Sequence, residues 1–256
     1  MIKAVFFDID GTLLPFGKSQ VPESAVRSIA ALRQKGIKVF VATGKSLALM
    51  LHTSVKNIPF DGYLTLNGQL AYDDKFSMLY GVQIIPEEME ILSQVFKSDK
   101  IPFEMIGEFS RYINFIDERV KQNVANTNSI IPSIDRYKGE KIYQITAYTD
   151  HHKIDLIKDV MELCKVTFWA PDACDIVAKD GGKENGIKKI LETYGIAKEE
   201  TMAFGDSQND NGMLQLVGTG IAMGNALEIT KDVADYITAD IEDDGIEKAL
   251  KHFELI

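Results

Sequence analysis

The sequence predicts an α/β fold in which a doubly wound parallel sheet carries a second α/β module as an insertion. Near both ends of the chain, short apolar segments alternate with helix-like segments, a pattern typical of parallel strands with helices on both faces. Between about residues 82 and 178, strand-like and helix-like pieces follow a different arrangement. Several of the apolar segments stop at polar or glycine-rich residues, which indicates a ligand site at one edge of the sheet.

The first part of the chain begins the predicted sheet. Residues 4–7 form a short apolar strand that stops at an acidic turn. Residues 22–35 carry apolar side chains at helical spacing and are followed by a glycine, a typical helix end. A second strand at 37–42, a further helix and a third strand at 63–66 complete this part.

The last part, residues 182–256, resumes the alternation of strands and helices. A helix is predicted at 183–194 and a strand at 201–204, followed by short strands at 220–223 and 236–238. We therefore expect one core domain that is built from both ends of the chain, residues 1–81 together with this last part.

The middle part, residues 82–181, is predicted to be a second α/β domain inserted into the core. Strand-like pieces lie at 111–116 and 141–148, and helix-like pieces lie at 87–96 and 152–164. The sequence contains no internal repeat and no low-complexity linker that would suggest a different organisation.

The composition favours a cytoplasmic protein that binds neither nucleic acid nor a membrane. With 28 basic and 38 acidic residues the formal net charge is −10, and no basic block is present to neutralise nucleic-acid phosphates. No apolar run approaches the roughly 20 residues that span a bilayer, and the first residues show no targeting signal. Cys164 and Cys174 match no metal-ligand spacing, so we expect structural thiols. No feature of the sequence indicates the oligomeric state.

Polar or glycine residues follow four of the predicted core strands. In open parallel sheets, ligands bind beyond the carboxyl ends of the strands, so these residues should converge on one crevice. They are Asp8 and Asp10, Thr43 and Gly44, Asn67 and Gly68, and Gly205 and Asp206.

Two acidic clusters, at residues 8–10 and 206–210, predict a metal site. Holding carboxylates about 4 Å apart costs around 4 kcal/mol per pair at an effective dielectric of 20, so a proton or a cation must offset the repulsion. Oxygen ligands favour Mg²⁺, with Mn²⁺ able to substitute, and the clusters lack the His and Cys that zinc prefers.

The same clusters indicate chemistry on a phosphate group. Mg²⁺ in proteins usually binds a few carboxylates together with substrate phosphate. An aspartate can itself accept a phosphoryl group as an aspartyl-phosphate. Two aspartates separated by one residue allow Asp8 or Asp10 to attack phosphorus while the other protonates the leaving oxygen and later activates water.

Four ordered motifs resemble those of the haloacid dehalogenase-like phosphatase superfamily. The long insertion between the second and third motifs is similar to that of the Cof-like sugar-phosphatase branch, which carries a class IIB cap. The resemblance implies a Rossmann-like core in residues 1–81 and 182–256, and an α/β cap that determines substrate specificity. The motifs are Asp8-Ile9-Asp10-Gly11-Thr12-Leu13, Thr43-Gly44, Lys183, and Gly205-Asp206-Ser207-Gln208-Asn209-Asp210.

The resemblance also implies the catalytic and metal-binding residues. Asp8 would be the nucleophile and a metal ligand. Asp10 would be the general acid and base, and its backbone carbonyl would bind Mg²⁺. Asp206 would be a direct metal ligand, and Asp210 a ligand either directly or through a water molecule.

The remaining matching positions imply a binding site for the substrate. Thr43 and Lys183 would hold the phosphoryl oxygens and compensate their charge in the transition state, with Gly44 beside them. Asn67 and Asn209 would line the substrate side of the site.

One position departs from the resemblance. Many relatives carry Arg after the Thr-Gly pair, whereas this chain has Lys45. Arg and Lys are not equivalent where two parallel hydrogen bonds are required, so Lys45 is left out of the predicted catalytic set. His151 and His152 are assigned to an exposed helix start, and Trp169 to the core.

The sequence therefore predicts a Mg²⁺-dependent phosphatase that hydrolyses a small phosphorylated metabolite, with sugar phosphates favoured, through an aspartyl-phosphate on Asp8. A phosphomutase with the same aspartates and metal is one alternative, and the appearance of an isomer in place of free phosphate would identify it. A non-catalytic signalling module is another, and a long-lived phospho-Asp8 would identify that. Asp10 and the large insertion oppose the signalling hypothesis.

Overall fold

The computed structural model describes residues 1–127, 129–158 and 162–256. In chain order its strands are β1 (Ala4–Phe7), β2 (Lys38–Ala42), β3 (Gly62–Thr65), β4 (Leu70–Asp73), β5 (Met78–Gly81), β6 (Phe103–Ile106), β7 (Arg111–Ile113), β8 (Ser133–Ile134), β9 (Gln144–Ala147), β10 (Cys164–Ala170), β11 (Ala173–Ala178), β12 (Thr201–Gly205), β13 (Thr219–Ala222) and β14 (Tyr236–Ile237). Its helices are α1 (Glu23–Gln34), α2 (Leu47–Met50), α3 (Pro86–Lys97), α4 (Glu118–Asn126), α5 (His151–Lys158), α6 (Lys183–Tyr194), α7 (Asn211–Leu216), α8 (Glu228–Lys231) and α9 (Gly245–His252).

Both ends of the chain contribute strands to the first sheet, as predicted. Its strand order is β14-β13-β12-β1-β2-β3-β4-β5, and the pairs from β14 to β3 are all parallel. The last two strands, β4 and β5, lie antiparallel at one edge, which was not predicted. Only a short turn separates β3 from β4, and a parallel pairing would need a much longer crossover.

Helices cover both faces of this sheet because β1 is apolar at every position. Val5 and Phe7 pack in one cluster with Ile29 of α1 and with residues of α9. Phe6 points to the opposite face and packs with Ile187 of α6 and with residues of α7. The doubly wound α/β fold is therefore confirmed.

The second sheet is formed by the middle of the chain. Its order is β10-β11-β9-β6-β7-β8, with antiparallel pairs apart from the parallel pair β7–β8. Helices α3 and α5 cover one face, where Leu92 and Ile154 pack against Phe103 and Met105. The domain boundaries at 81/82 and 181/182 stay a prediction.

One predicted helix is wrong at its end. Residues 152–164 were expected to be helical, but α5 ends at Lys158 and Cys164 begins β10; residues 159–161 lie outside the described part. The segment from Cys164 pairs antiparallel with β11 along most of its length, and this pairing prevails over the local helical pattern.

Both cysteines are buried, and they form no disulfide with each other. Among the described residues, no helix is both long and apolar enough to cross a membrane.

Candidate active site

The strands at the centre of the first sheet deliver polar residues to one edge. Asp8 follows β1, and its amide donates to the carbonyl of Phe204 in β12 at 3.1 Å. Thr43 follows β2, and its carbonyl accepts from the amide of Asn67, which follows β3, at 3.0 Å. Because these strands are parallel, their carboxyl ends lie side by side, as the sequence predicted.

A buried lysine joins two of the acidic motifs. Lys183 is the first residue of α6, and its Nζ lies 2.6 Å from Oδ1 of Asp8 and 2.6 Å from Oδ1 of Asp210. Burial opposes a charge on this lysine, but Asp210 and Asp8 outweigh that effect and raise the pKa of Lys183 above its usual value. The ammonium therefore stays charged and offsets part of the negative charge of the site.

Three buried carboxylates converge beside Lys183. Asp8, Asp206 and Asp210 each offer an oxygen, and these oxygens lie within 4.8 Å of one another. Burial raises the pKa of Asp8 to about 7, opposed by Lys183 and assisted by Asp210. Burial, together with Asp8 and Asp210, also raises the pKa of Asp206 well above its usual range. Neighbouring buried carboxylates repel each other when ionised, and a cation bound between them would offset this repulsion.

Local structure orients these carboxylates. Oδ2 of Asp210 accepts from the amides of Asp206 at 3.0 Å and Ser207 at 3.1 Å, so the loop after β12 folds around the side chain of Asp210. Oδ1 of Asp206 accepts from the hydroxyl of Thr12 at 3.3 Å. Gly11 has φ +83°, and a Cβ there would lie 2.3 Å from Oδ2 of Asp206, so the turn after β1 requires glycine.

The carboxylate of Asp10 is not one of these three and has a different partner. Its Oδ2 is 2.8 Å from Nζ of Lys45, the residue that was left out of the predicted catalytic set. The same Nζ donates to the carbonyl of Thr127, at the end of α4 in the second sheet's part of the chain, at 3.3 Å. The structure therefore places Lys45 in the site. Its position directly after Thr43-Gly44, at a strand end, was the signal that could have identified it.

The second motif is held in place by backbone contacts. Thr43 is fully buried, and its hydroxyl accepts from the amide of Lys45 at 3.1 Å. The carbonyl of Gly44 accepts from Nε2 of Gln144 in β9 at 3.3 Å. This motif is therefore contacted by a side chain from the second sheet.

Asn67 connects the two sheets. It has φ +53°, in the left-handed region, and its Oδ1 accepts from Nδ2 of Asn209 at 2.9 Å. Its own Nδ2 donates to Oε1 of Gln144 at 3.0 Å and to Oδ2 of Asp175 at 2.8 Å. Asn67 and Asn209 do lie together, as predicted, but their amides are engaged with protein groups.

A cavity of about 160 Å³ lies between the two sheets, and Asp8, Asp10, Gly44 and Asn209 all line it. Its other wall consists of side chains that the sequence did not identify. Trp169, assigned to the core, also lines this cavity, and its Nε1 donates to Oδ1 of Asp175 at 3.3 Å. The residues that were missed are Glu104, Arg111, Gln144, Thr146, Tyr148 and Asp175.

Parallel strands gather carboxylates at the carboxyl edge of the first sheet, beneath an inserted α/β module, at the place where ligands bind in such sheets. The family model described as haloacid dehalogenase-like hydrolase matches residues 5–250. The chain belongs to this family, and it is therefore a hydrolase.

Relatives extend along the whole chain. YkrA of Bacillus subtilis, named as a candidate phosphatase, is 29% identical and covers 99% of this chain and 98% of its own length. A solved structure described as the HAD subclass IIB sugar phosphatase BT4131 is 32% identical, with a TM-score of 0.91 and coverage of 99% and 100%. Another, described through a trigonal-bipyramidal intermediate of a phosphoryl-transfer superfamily, is 32% identical, with a TM-score of 0.93 and full coverage of both chains. These similarities confirm the Cof-like branch.

Proposed function

We propose that this hydrolase is a Mg²⁺-dependent phosphatase of small phosphorylated metabolites, with sugar phosphates as the first class to test. The observation that carries the proposal is the convergence of Asp8, Asp206 and Asp210, with ligand oxygens within 4.8 Å of one another, beside a cavity that Asp8 and Asp10 line. The phosphatase names of the relatives and the sugar-phosphatase description of one of them support the same reaction class.

The reaction would proceed in two steps, phosphoryl transfer to Asp8 and hydrolysis of the resulting aspartyl-phosphate. An oxygen of Asp8 attacks phosphorus, the bond to the ester oxygen breaks, and that oxygen leaves with its electron pair and a proton from Asp10. Water then attacks phosphorus, its proton passes to Asp10, and the acyl-phosphate bond breaks to release phosphate and restore Asp8. Inorganic phosphate and the free alcohol are the products.

The donor set fits Mg²⁺. It consists of carboxylate oxygens, and Asp8 and Asp206 each retain an oxygen without a hydrogen bond to a described residue, whereas both oxygens of Asp210 accept hydrogen bonds. Asp8 and Asp206 would therefore hold the ion directly, with the backbone carbonyl of Asp10, and Asp210 would act through water. Mn²⁺ would substitute because it accepts the same ligands. When bound, the ion would supply positive charge to the transferring phosphoryl oxygens.

Residues around the carboxylates would bind the phosphoryl group. Lys183 is the nearest cation to Asp8 and would stabilise charge on the transferring oxygens. Thr43 and Gly44 would present the loop after β2 to the phosphate. Asn67 and Asn209, whose amides are bonded to each other, would act by shaping the substrate side of the cavity.

The inserted part, residues 82–181, would act as the cap. Its second sheet forms one wall of the cavity that Asp8 lines, so a substrate would be enclosed between cap and core during the reaction. Enclosure excludes bulk water and large substrates from the reacting atoms. We therefore expect activity on small metabolites and little on phosphoproteins.

The test is phosphate release from a panel of phosphorylated metabolites, with Mg²⁺ or with EDTA. Mg²⁺-dependent release by the wild type and its loss in Asp8→Asn are expected. Asp74→Asn, the same chemical change at an exposed position of the core, is the control and should retain full activity. An active Asp8→Asn would contradict the nucleophile assignment.

Two other outcomes would point to different functions. Conversion of the ester to an isomer without free phosphate would indicate a phosphomutase. A phospho-Asp8 that persists for minutes, without turnover, would indicate a signalling module.

Mg²⁺ binding can be measured separately from activity, since a ligand that binds the folded state raises the midpoint of thermal unfolding. That increase should occur in the wild type and be lost in Asp206→Asn.

A further inference from the structure

The second sheet forms one wall of the cavity, and polar side chains occupy alternate positions of its strands along this wall. Side chains alternate between the two faces of each strand, so residues next to the helix-packed Phe103 and Met105 point toward the cavity. Glu104 pairs with Thr146, and Thr146 pairs with Asp175, as direct neighbours across β6, β9 and β11. These three residues form a row opposite the proposed nucleophile, where the leaving group of a phosphate ester would lie.

The cations of the cavity are already paired. Arg111 is bound to Glu104 through its Nε and through Nη2, the latter at 3.3 Å, and its Nη1 donates to the carbonyl of Ile130. Tyr148 adds a hydrogen bond to the same carboxylate, Oε2 of Glu104, at 2.9 Å. Lys45, the other cation of the lining, is paired with Asp10. Neither cation is available to an anionic leaving group without losing an existing partner.

Asp175 is the carboxylate of this wall that lacks a cation. It is 8% exposed, and its partners are neutral donors: the Thr146 hydroxyl at 2.8 Å, Nε1 of Trp169 at 3.3 Å and Nδ2 of Asn67 at 2.8 Å. No salt bridge to Asp175 occurs in the described part of the chain. Burial raises the pKa of Asp175 to about 6, so the group is ionised at pH 8. A carboxylate offers about four acceptor sites, and the three donors leave one for a ligand.

We propose that the cavity selects phosphate esters whose leaving group is neutral or positively charged, rejects those with a second negative charge, and owes this discrimination to Asp175. The proposal rests on the proposed phosphatase activity and adds the substrate class to it. A buried carboxylate repels a nearby anion strongly because the surroundings screen it little, whereas a hydroxyl or an ammonium can donate to it.

Three six-carbon 6-phosphate esters of similar size provide the test, because their leaving groups carry different charges. They are glucosamine 6-phosphate, glucose 6-phosphate and 6-phosphogluconate. At pH 8 with Mg²⁺, we expect kcat/KM for the gluconate ester to be lower than for glucose 6-phosphate by on the order of tenfold or more. The glucosamine ester should equal or exceed glucose 6-phosphate.

Asp175→Asn should reduce the difference between the gluconate and glucose esters to within about threefold, because it removes the charge and keeps the shape. Asp150→Asn, which makes the same change at an exposed position of the inserted part, should preserve the wild-type order. The wild-type order is itself a test that does not depend on the folding of any variant.

The outcomes separate this inference from the proposed function. Equal kcat/KM for all three esters in the wild type would overturn the inference while leaving the phosphatase proposal intact. The inference would also be overturned if Asp175→Asn slowed all three esters by one common factor. No hydrolysis of these esters, with other phosphorylated metabolites hydrolysed, would overturn the inference alone. No hydrolysis across the whole panel would refute the phosphatase proposal and the inference with it.

Discussion

Lys45 connects the proposed acid–base residue to the inserted part of the chain. Its ammonium lies 2.8 Å from Asp10 and 3.3 Å from the carbonyl of Thr127, and its side chain is only 8% exposed. Thr127 follows α4, and the carbonyl end of a helix attracts cations. A single lysine therefore contacts both the Asp10 carboxylate and the inserted part of the chain.

Substituting Lys45 should impair the chemical step. In Lys45→Met the Asp10 carboxylate loses its partner, and we expect kcat to fall on the order of ten- to hundredfold through misorientation of the acid. Lys45→Arg keeps the charge and should recover part of kcat. The measurement is steady-state kinetics on the best substrate of the panel. Lys56→Met, at an exposed position, is the control, and an equal loss there would contradict the assignment.

Lys183 should matter for stability as well as for activity. In Lys183→Met, the buried carboxylates of Asp8 and Asp210 lose their shared cation, and uncompensated buried charge is costly, here about 3 kcal/mol. Urea unfolding in EDTA at pH 7.5 measures the change. Lys189→Met breaks an exposed pair with Glu192 and should leave the midpoint unchanged. Equal midpoints for the Lys183 and Lys189 variants would show that the buried pair does not stabilise the fold.

At the scale of elements, the turn after β1 is tightly constrained. Gly11 has φ +83°, and any Cβ would meet Oδ2 of Asp206 at 2.3 Å. Gly36, at the end of α1, has a similar φ of +76° but no atom within 4 Å of a Cβ. An alanine at Gly36 would therefore introduce backbone strain alone, whereas an alanine at Gly11 would add a collision with a proposed metal ligand. Comparing the two variants separates these effects.

Gly11→Ala should lower kcat/KM by more than about tenfold and should reduce the Mg²⁺-induced rise in thermal midpoint, because it displaces the Asp206 carboxylate. Gly36→Ala should cost about 1 kcal/mol of stability through strain alone and keep full activity. Kinetics and thermal unfolding, each with and without Mg²⁺, measure both effects. If the two variants lose the same activity, strain rather than collision explains the requirement for glycine.

The sequence predicted the elements whose signals are local and missed those that depend on pairing. Asp8 was identified because a strand end marks it within a few residues, and Lys183 because its position matches a motif of the family that the sequence resembles. Asp175 and Gln144 reach the site through the register of an antiparallel sheet, which no local pattern determines. A charged residue alternating with apolar neighbours in 173–178 was the available signal. Without the register, it could not be assigned to the cavity.

At the scale of the whole molecule, hydrogen bonds that cross between the two sheets lie at the site itself. Asn67 donates to Gln144 and Asp175, and Lys45 donates to the carbonyl of Thr127. The groups proposed to bind substrate are therefore also groups that hold cap and core together. A change in the charge of Asp175 should then affect both substrate choice and the stability of the molecule, and the second effect can be measured without any substrate.

The stability effect of Asp175 should depend on pH. Burial raises its pKa from 3.8 to about 6, so between these values the folded protein retains a proton that the unfolded chain has released. The protonated group therefore stabilises the fold fully below about pH 4, and this contribution is lost as the pH rises through 6. This difference in pKa between the folded and unfolded states corresponds to about 3 kcal/mol.

Asparagine at this position does not titrate, so the free energy of unfolding of Asp175→Asn, relative to the wild type, should rise by about 3 kcal/mol between about pH 4 and pH 7.5. Denaturant unfolding of both proteins across this range measures the difference, and Asp150→Asn provides the exposed control. A difference that stays constant with pH would mean that Asp175 titrates normally and is not held in a desolvated wall. A rise in the expected direction would mean that the ionised Asp175, which has no cation as a partner, destabilises the fold at neutral pH. Such a loss of stability is expected where a residue is retained for substrate selectivity.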